Sequence, residues 1–214
     1  MMYARIPGKE RLIELRRNKR TLHFAEVVAT DPSASQIAHA QRRPKVEYLI
    51  CSAEQCPLAA NSVDLVTVAQ ALHWFDRDRF YEQVRRVGRV GSVLAVWSYG
   101  LAVISPEVDR VVEHLYDDLL GPYWPPERKL IEERYATISF PFEELAVPPF
   151  AMTAQWHLHD WIGYLGTWSA VQKYVQRHGT DPLEQVQADL SRAWGTETVR
   201  PVHWPLYLRV GRIG

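Results

Sequence analysis

Three groups of side chains in this chain have the types and spacing to do chemistry. The first is a pair of carboxylates that follow short apolar runs: Asp31, in Thr30-Asp31-Pro32-Ser33 after residues 24–29, and Glu54, in Ala53-Glu54 after residues 46–51. A carboxylate at a strand's carboxyl end can accept two hydrogen bonds from a ribose diol. An aspartate before a proline also suits a turn or helix cap. The second group follows the run 63–68: Ala69, Gln70 and Ala71, then His73, Trp74 and Phe75. Small residues let a ligand approach the backbone, aromatic ones exclude water, and His73 is an imidazole that can take a proton. The same aromatics would also suit a core. The third group is aromatic with one cation: Trp97 and Tyr99, Tyr123 and Trp124 with Arg128, and Trp168. Rings of this kind can wall a small apolar or conjugated ligand, and an arginine can pair with its carboxylate. Packing of a cap on a sheet is the alternative. His157 and His159 share one face if residues 150–157 are a strand, but no third metal ligand accompanies them.

The elements that must position these groups follow from the apolar pattern. Residues 24–29, 46–51, 63–68 and 92–97 read as strands. Ser33 with Gln36 looks like a capping box opening a helix over 35–41. Asp76 caps a second helix, with Phe80, Val84 and Val87 facing the sheet and Gly88 and Gly91 ending it. Strand, helix, strand, loop, strand, helix, strand is the rhythm of a doubly wound parallel sheet. Ligand crevices in such sheets lie at the carboxyl ends of the strands. Beyond residue 100 the pattern predicts a helix over 106–120, extended segments over 138–142 and 150–157, a helix over 160–176 and a last strand over 204–210. One domain over 1–214 is expected, with a divergent segment (1–23), an α/β half (24–100) and a cap with C-terminal strands (101–214).

Composition narrows the function classes. The 214 residues carry 25 Lys+Arg and 25 Asp+Glu, a formal net charge of zero. A protein devoted to a polyanion normally shows a basic excess, so no nucleic acid is expected. The basic run 11–20 reads as a solvated helix face. Cys51 and Cys56 are too few for a disulfide framework. They fit free thiols in a reducing cytoplasm. No apolar stretch approaches the roughly 20 residues that span a bilayer.

In this order and spacing, Asp31, Glu54 and the block over 62–76 resemble class I S-adenosylmethionine-dependent methyltransferases of the type 11 domain. They are most like a bacterial small-molecule branch related to trans-aconitate methyltransferases, where an alanine-rich strand end followed by His-Trp-Phe-Asp recurs. Trp97-Ser98-Tyr99-Gly100, Tyr-Trp-Pro-Pro-Glu-Arg over 123–128 and Thr167-Trp168-Ser169-Ala170 extend the resemblance. It implies an α/β, doubly wound, Rossmann-like sheet with a helical aromatic cap. It implies S-adenosylmethionine as cofactor, held by Asp31, Pro32, Ser33, Ala53, Glu54, Ala69, Gln70, Ala71 and Trp74. It also implies a small-molecule methyl acceptor, a carboxylate or a hydroxyl, bound by Trp97, Tyr99, Tyr123, Trp124, Arg128 and Trp168. His73 would be the base for a hydroxyl.

One departure is large. The family's first strand and Gly-x-Gly-x-Gly turn should precede residue 24, yet no glycine lies between Gly8 and Gly88. Glycine matters there because backbone must pass close to the cofactor and take positive φ. Residues 3–23 instead suit a basic helix, so the N-terminal strand is expected to be altered or missing. The abrupt change near residues 23–24 is what a truncated or frame-shifted product would show. The expectation is methyl transfer impaired by the missing turn. The alternative is an inactive methyltransferase-like protein acting as a binding or interaction module.

Overall fold

Short β-branched runs flanked by turn residues form the strands of a mixed sheet in this protein. The computed structural model describes residues 1–5 and 24–214. Among the described residues the strands are β1 (Met2–Arg5), β2 (Glu26–Asp31), β3 (Val46–Ile50), β4 (Val63–Ala69), β5 (Gly88–Tyr99), β6 (Glu143–Leu145), β7 (Phe150–Trp156) and β8 (Arg200–Arg212). The α-helices are α1 (Ala34–His39), α2 (Arg77–Val87), α3 (Pro106–Glu113), α4 (Arg128–Glu132), α5 (Leu158–Gly166), α6 (Ser169–His178) and α7 (Leu183–Trp194). The chain forms two compact units. The first is Met1–Ser98, Thr137–Pro148 and Tyr207–Gly214; the second is Tyr99–Ala136 and Pro149–Leu206.

The sheet order is β3-β2-β1-β4-β5-β8-β6, with β7 also pairing β8. β2 is parallel to β3, with Asp31 opposite Ile50, and β4 is parallel to β5, with Ala69 opposite Trp97. β1 is antiparallel to both β2 and β4, with Met2 level with Ala29 and Thr67. The carboxyl ends of β2, β3, β4 and β5 therefore share one edge. This is the α/β, Rossmann-like arrangement with an altered N-terminal strand.

In the first unit, Val63, Val66 and Val68 of β4 are buried while Leu65 and Thr67 are half-buried, so neither face of β4 is open. This is why β4 reads as a mostly apolar run, broken only by Asp64 and Thr67. Asp76 caps α2, its Oδ1 accepting the Arg79 N–H, and Phe80, Tyr81, Val84 and Val87 are buried on one stripe. Burying such a stripe, at about 25 cal/mol per Å² of apolar surface, is what fixes the helix. Gly211 is required by close approach, since a Cβ there would come within 2.6 Å of Phe140 and Phe142 side-chain carbons.

In the second unit, Val108, Leu115, Trp161, Leu165, Leu190 and Trp204 lie in one buried cluster. Several expectations are corrected here. The helix over 106–120 is α3 followed by a π-helical turn, His114–Leu119, closed by the Leu120 N–H to the Leu115 carbonyl. The helix over 160–176 is two helices, α5 and α6, because Trp168 takes an extended backbone at φ −64°, ψ 133°. His157 and His159 do not lie on a strand. His157 caps α5 and His159 is within it, their rings stacked at 5.2 Å. α7, which the pattern reading missed, buries Leu183, Val186, Leu190 and Trp194 at helical spacing.

In the first unit, residues 138–142 belong to no strand, and the Phe142 N–H bonds the Phe140 carbonyl. Gly91 does not end α2: Gly88 does, and Gly91, at φ 77°, lies within β5. Residues 3–5 belong to β1, not to a helix; the rest of the expected basic helix, over 6–23, lies outside the described residues. No helix among the described residues is long and apolar enough to cross a membrane.

Candidate functional site

The shared edge of the first unit gathers the predicted carboxylates at the ends of their strands. Asp31 closes β2. Its Oδ1 accepts the Ser33 N–H at 2.8 Å, and Ser33 Oγ in turn accepts the Gln36 N–H at 3.3 Å, so Asp31 is fixed through one oxygen by the turn that starts α1. The expected capping box is thus present in its Ser33 half. Pro32 is exposed. Ala53 is buried just after β3, and Glu54 Oε1 accepts the Asp76 N–H at 3.1 Å. That bond ties the loop after β3 to the start of α2. Each carboxylate keeps a second oxygen without a hydrogen-bond partner among the described residues.

The segment after β4 is tightly specified. Ala69 is exposed, and Gln70 sits at φ 51° with its N–H on the Trp97 carbonyl at 2.9 Å. A non-glycine residue in the left-handed region costs energy and is concentrated at functional sites. Ala71 leads into a single 3-10 turn, Leu72–Trp74, in which Leu72 is fully buried and His73 is 6% exposed. Trp74 is 59% exposed and its ring lies 4.8 Å from that of His73. His73 is therefore a core-side imidazole covered by an indole, and Trp74 presents its ring outward. Ser98, near the end of β5, is fully buried with no partner for its hydroxyl among the described residues. Its type carried no signal in the sequence.

The second unit gathers a different set. Arg128 Nε donates to the Tyr116 hydroxyl at 2.7 Å, and Tyr116 donates to Glu132 Oε1 at 2.5 Å. The guanidinium lies over two rings, 4.8 Å from the Trp124 centroid and 5.3 Å from that of Tyr116. Trp124 is fixed by its Nε1, which donates to the Tyr116 carbonyl at 3.1 Å. Trp168 packs edge-on to Tyr116 at 5.9 Å and against Trp124 at 5.6 Å. It reaches them from the break between α5 and α6. Burial holds the Tyr116 phenol well above its ordinary range, Glu132 adds to that, and Arg128 opposes it. Burial also raises the Tyr99 phenol, with Tyr164 raising it further and Arg128 lowering it.

Of the predicted acceptor residues, Trp124, Arg128 and Trp168 come together in this unit, and Tyr99 packs against the same buried cluster. Tyr123 turns instead to Tyr174 and His178, its hydroxyl bonded to His178 Nε2. Trp97 lies in the first unit on β5, opposite Ala69. Tyr116, Glu132 and Tyr164 were missed. Tyr116 falls within a helical stretch, where a tyrosine reads as packing.

A family profile described as a methyltransferase domain matches residues 12–96. A Dictyostelium discoideum protein named as a methyltransferase is 34% identical over 193 residues, covering 87% of this chain and 73% of its own. A solved structure from Anaeromyxobacter dehalogenans, described as a type II methyltransferase, is 47% identical with a TM-score of 0.83; the match covers 89% of this chain and 82% of that one. The chain belongs to the class I S-adenosylmethionine-dependent methyltransferases. An uncharacterized methyltransferase of Mycobacterium tuberculosis is also similar, 43% identical over 75 residues, which is 34% of this chain and 31% of that protein.

Within this methyltransferase the donor set fits the family's cofactor on one side. Asp31 and Glu54 are each oriented by a backbone N–H and keep one oxygen open, and the exposed Ala69 leaves the strand end uncovered. On the other side the family's central first strand is replaced. The antiparallel β1 stands between β2 and β4, and the Met1 carbonyl accepts the Thr30 N–H at 2.9 Å on the carboxyl edge. Among the described residues no glycine precedes Gly88, so none follows β2, β3 or β4 directly.

Proposed function

We propose that the chain catalyses S-adenosylmethionine-dependent methyl transfer to a small-molecule acceptor bearing a carboxylate or hydroxyl, slowed by the missing glycine turn. When bound, the cofactor supplies a methyl group already activated on a sulfonium. Asp31 would accept from the ribose diol, with Pro32 and Ser33 shaping that turn. Ala53 and Glu54 would face the adenine. Ala69, Gln70, Ala71 and Trp74 would line the methionine portion, and Trp74 would exclude water. On this reading Trp97, Tyr99, Tyr123, Trp124, Arg128 and Trp168 serve the acceptor. With a carboxylate acceptor the protein need only align the reactants. With a hydroxyl acceptor His73 is the base, taking the proton as the new oxygen–carbon bond forms. The observation that carries this reading is the pair of carboxylates, Asp31 and Glu54, each pinned through one oxygen at neighbouring strand ends.

A second reading, an inactive module that retains the fold, is favoured by one observation. Antiparallel β1 stands between β2 and β4, where a glycine turn would otherwise bring backbone to the cofactor.

The test is incubation of the purified protein with S-adenosylmethionine and a panel of small organic acids and alcohols. Release of S-adenosylhomocysteine is followed by mass spectrometry. Acceptor-dependent release, lost in Asp31→Ala, supports methyl transfer. Binding of S-adenosylhomocysteine without turnover favours the second reading.

A further inference from the structure

Arg128 is held in an unusual way for a half-buried arginine. Its Nε is committed to the Tyr116 hydroxyl, its face is covered by Trp124 and Tyr116, and it makes no ion pair among the described residues. Its two terminal nitrogens have no hydrogen-bond partner among the described residues. The carboxylate nearest in the network, Glu132, is reached only through Tyr116. A guanidinium fork is a rigid, planar donor set matched to a carboxylate. Here the fork is pre-oriented by a phenol that donates one way and accepts the other. Trp168, edge-on to Tyr116 and tilted on Trp124, extends the aromatic cluster. Tyr164 lies 6.3 Å from Trp168, and Trp161 stacks on Tyr164 at 5.3 Å. Trp161 is 1% exposed, and its Nε1 has no partner among the described residues.

We propose that the second unit binds a planar organic monocarboxylate, its carboxylate on the Arg128 fork and its flat body against Trp124 and Trp168, with Tyr116 and Glu132 as positioning residues for the arginine. The inference rests on reading this unit as the acceptor side, and it narrows the acceptor from carboxylate-or-hydroxyl to a flat organic acid. A stacked, bidentate site discriminates by both charge and shape. A neutral isostere leaves the fork unpaired, which is the costly outcome for a desolvated donor set. Tyr116 fixes the direction of the fork, so its hydroxyl affects affinity without touching the ligand.

The probe is trans-cinnamate, with cinnamamide as its neutral isostere, read by tryptophan fluorescence on the full chain without any methyl donor. Saturable quenching by cinnamate, at least tenfold weaker for cinnamamide, is expected. Arg128→Gln should erase that preference. Arg128→Lys should restore only a small part of it, since an ammonium is a point charge without the fork. Tyr116→Phe should lower cinnamate affinity several-fold while the melting transition stays cooperative, and it keeps the test decisive if Arg128→Gln fails to fold. Equal binding of acid and amide, binding of neither, or cinnamate quenching indifferent to both Arg128→Lys and Tyr116→Phe would each overturn the proposal. Because no S-adenosyl compound is present, failure here is distinct from failure of methyl transfer, which is read by S-adenosylhomocysteine binding and release.

Discussion

In the first unit the candidate ligand groups hang from strand ends and are held by backbone; in the second they are held by rings and by other side chains. Asp31 is oriented by an N–H two residues away and Glu54 by the cap of α2. Arg128 is oriented by Tyr116, twelve residues earlier, and covered by Trp124. The first arrangement follows from topology. Any parallel sheet delivers its strand ends to one edge, so a carboxylate placed there is positioned almost for free. The second depends on particular large side chains meeting across the π-helical turn after α3, α4 and the break between α5 and α6. A backbone-held site should tolerate changes around it and respond to changes of charge. A ring-held site should respond to the loss of a ring.

The largest effect expected from this contrast is at Trp161, 1% exposed in the second unit. Trp161→Ala should cost about 3–5 kcal/mol in stability. Trp161→Phe should cost far less, because the lost indole N–H has no partner among the described residues. Thermal or urea unfolding of the two variants checks this. Equal losses would mean that the indole N–H, not the ring, is what holds the cluster.

A smaller effect probes an exception, a ring in the first unit held by its hydroxyl. Tyr81 is buried and donates to the Ser139 carbonyl at 2.7 Å, and burial pushes its phenol up to about 12 from 10.0. The folded state then keeps its proton to higher pH than the unfolded chain. Stability should be full below about pH 10 and fall as pH rises toward 12. Tyr81→Phe should cost about 1 kcal/mol at neutral pH and reduce that alkaline slope. A slope as steep in the variant as in the parent would remove Tyr81 as its cause.

The smallest effect concerns Gln70 and has opposite signs in two readouts. Gln70→Gly relieves a left-handed backbone at φ 51° and should raise stability by up to about 1 kcal/mol. It should also weaken S-adenosylhomocysteine binding if Gln70 lines the methionine portion as proposed. Stability and binding falling together would mark Gln70 as a purely structural residue.

How far the sequence was legible follows the same division. β4 and its small-residue end were legible because a strand covered on both faces is mostly apolar, here broken only by Asp64 and Thr67. Asp31 and Glu54 were legible because strand ends are set by local pattern. β1 was not, since four residues, Met2–Arg5, carry too short a period to distinguish strand from helix. Arg128, Trp124 and Trp168 were picked out by type, but nothing local reveals that Tyr116 and Glu132 complete them. Tyr123, beside Trp124 in sequence, points to Tyr174 instead. α7 was legible in principle, its buried residues Leu183, Val186, Leu190 and Trp194 being helically spaced; it carries no chemical motif to draw attention.

The central claim is that the backbone-held edge of the first unit still binds the cofactor without a glycine turn. Calorimetry with S-adenosylhomocysteine tests it most directly, with Asp31→Asn as the paired variant. Asparagine retains an acceptor for the Ser33 N–H while removing the charge and one acceptor for a diol. The account predicts a dissociation constant tighter than about 100 μM, about 5.5 kcal/mol, weakened roughly tenfold by Asp31→Asn. No heat and no thermal shift with the parent protein, or an affinity indifferent to Asp31→Asn, would contradict it.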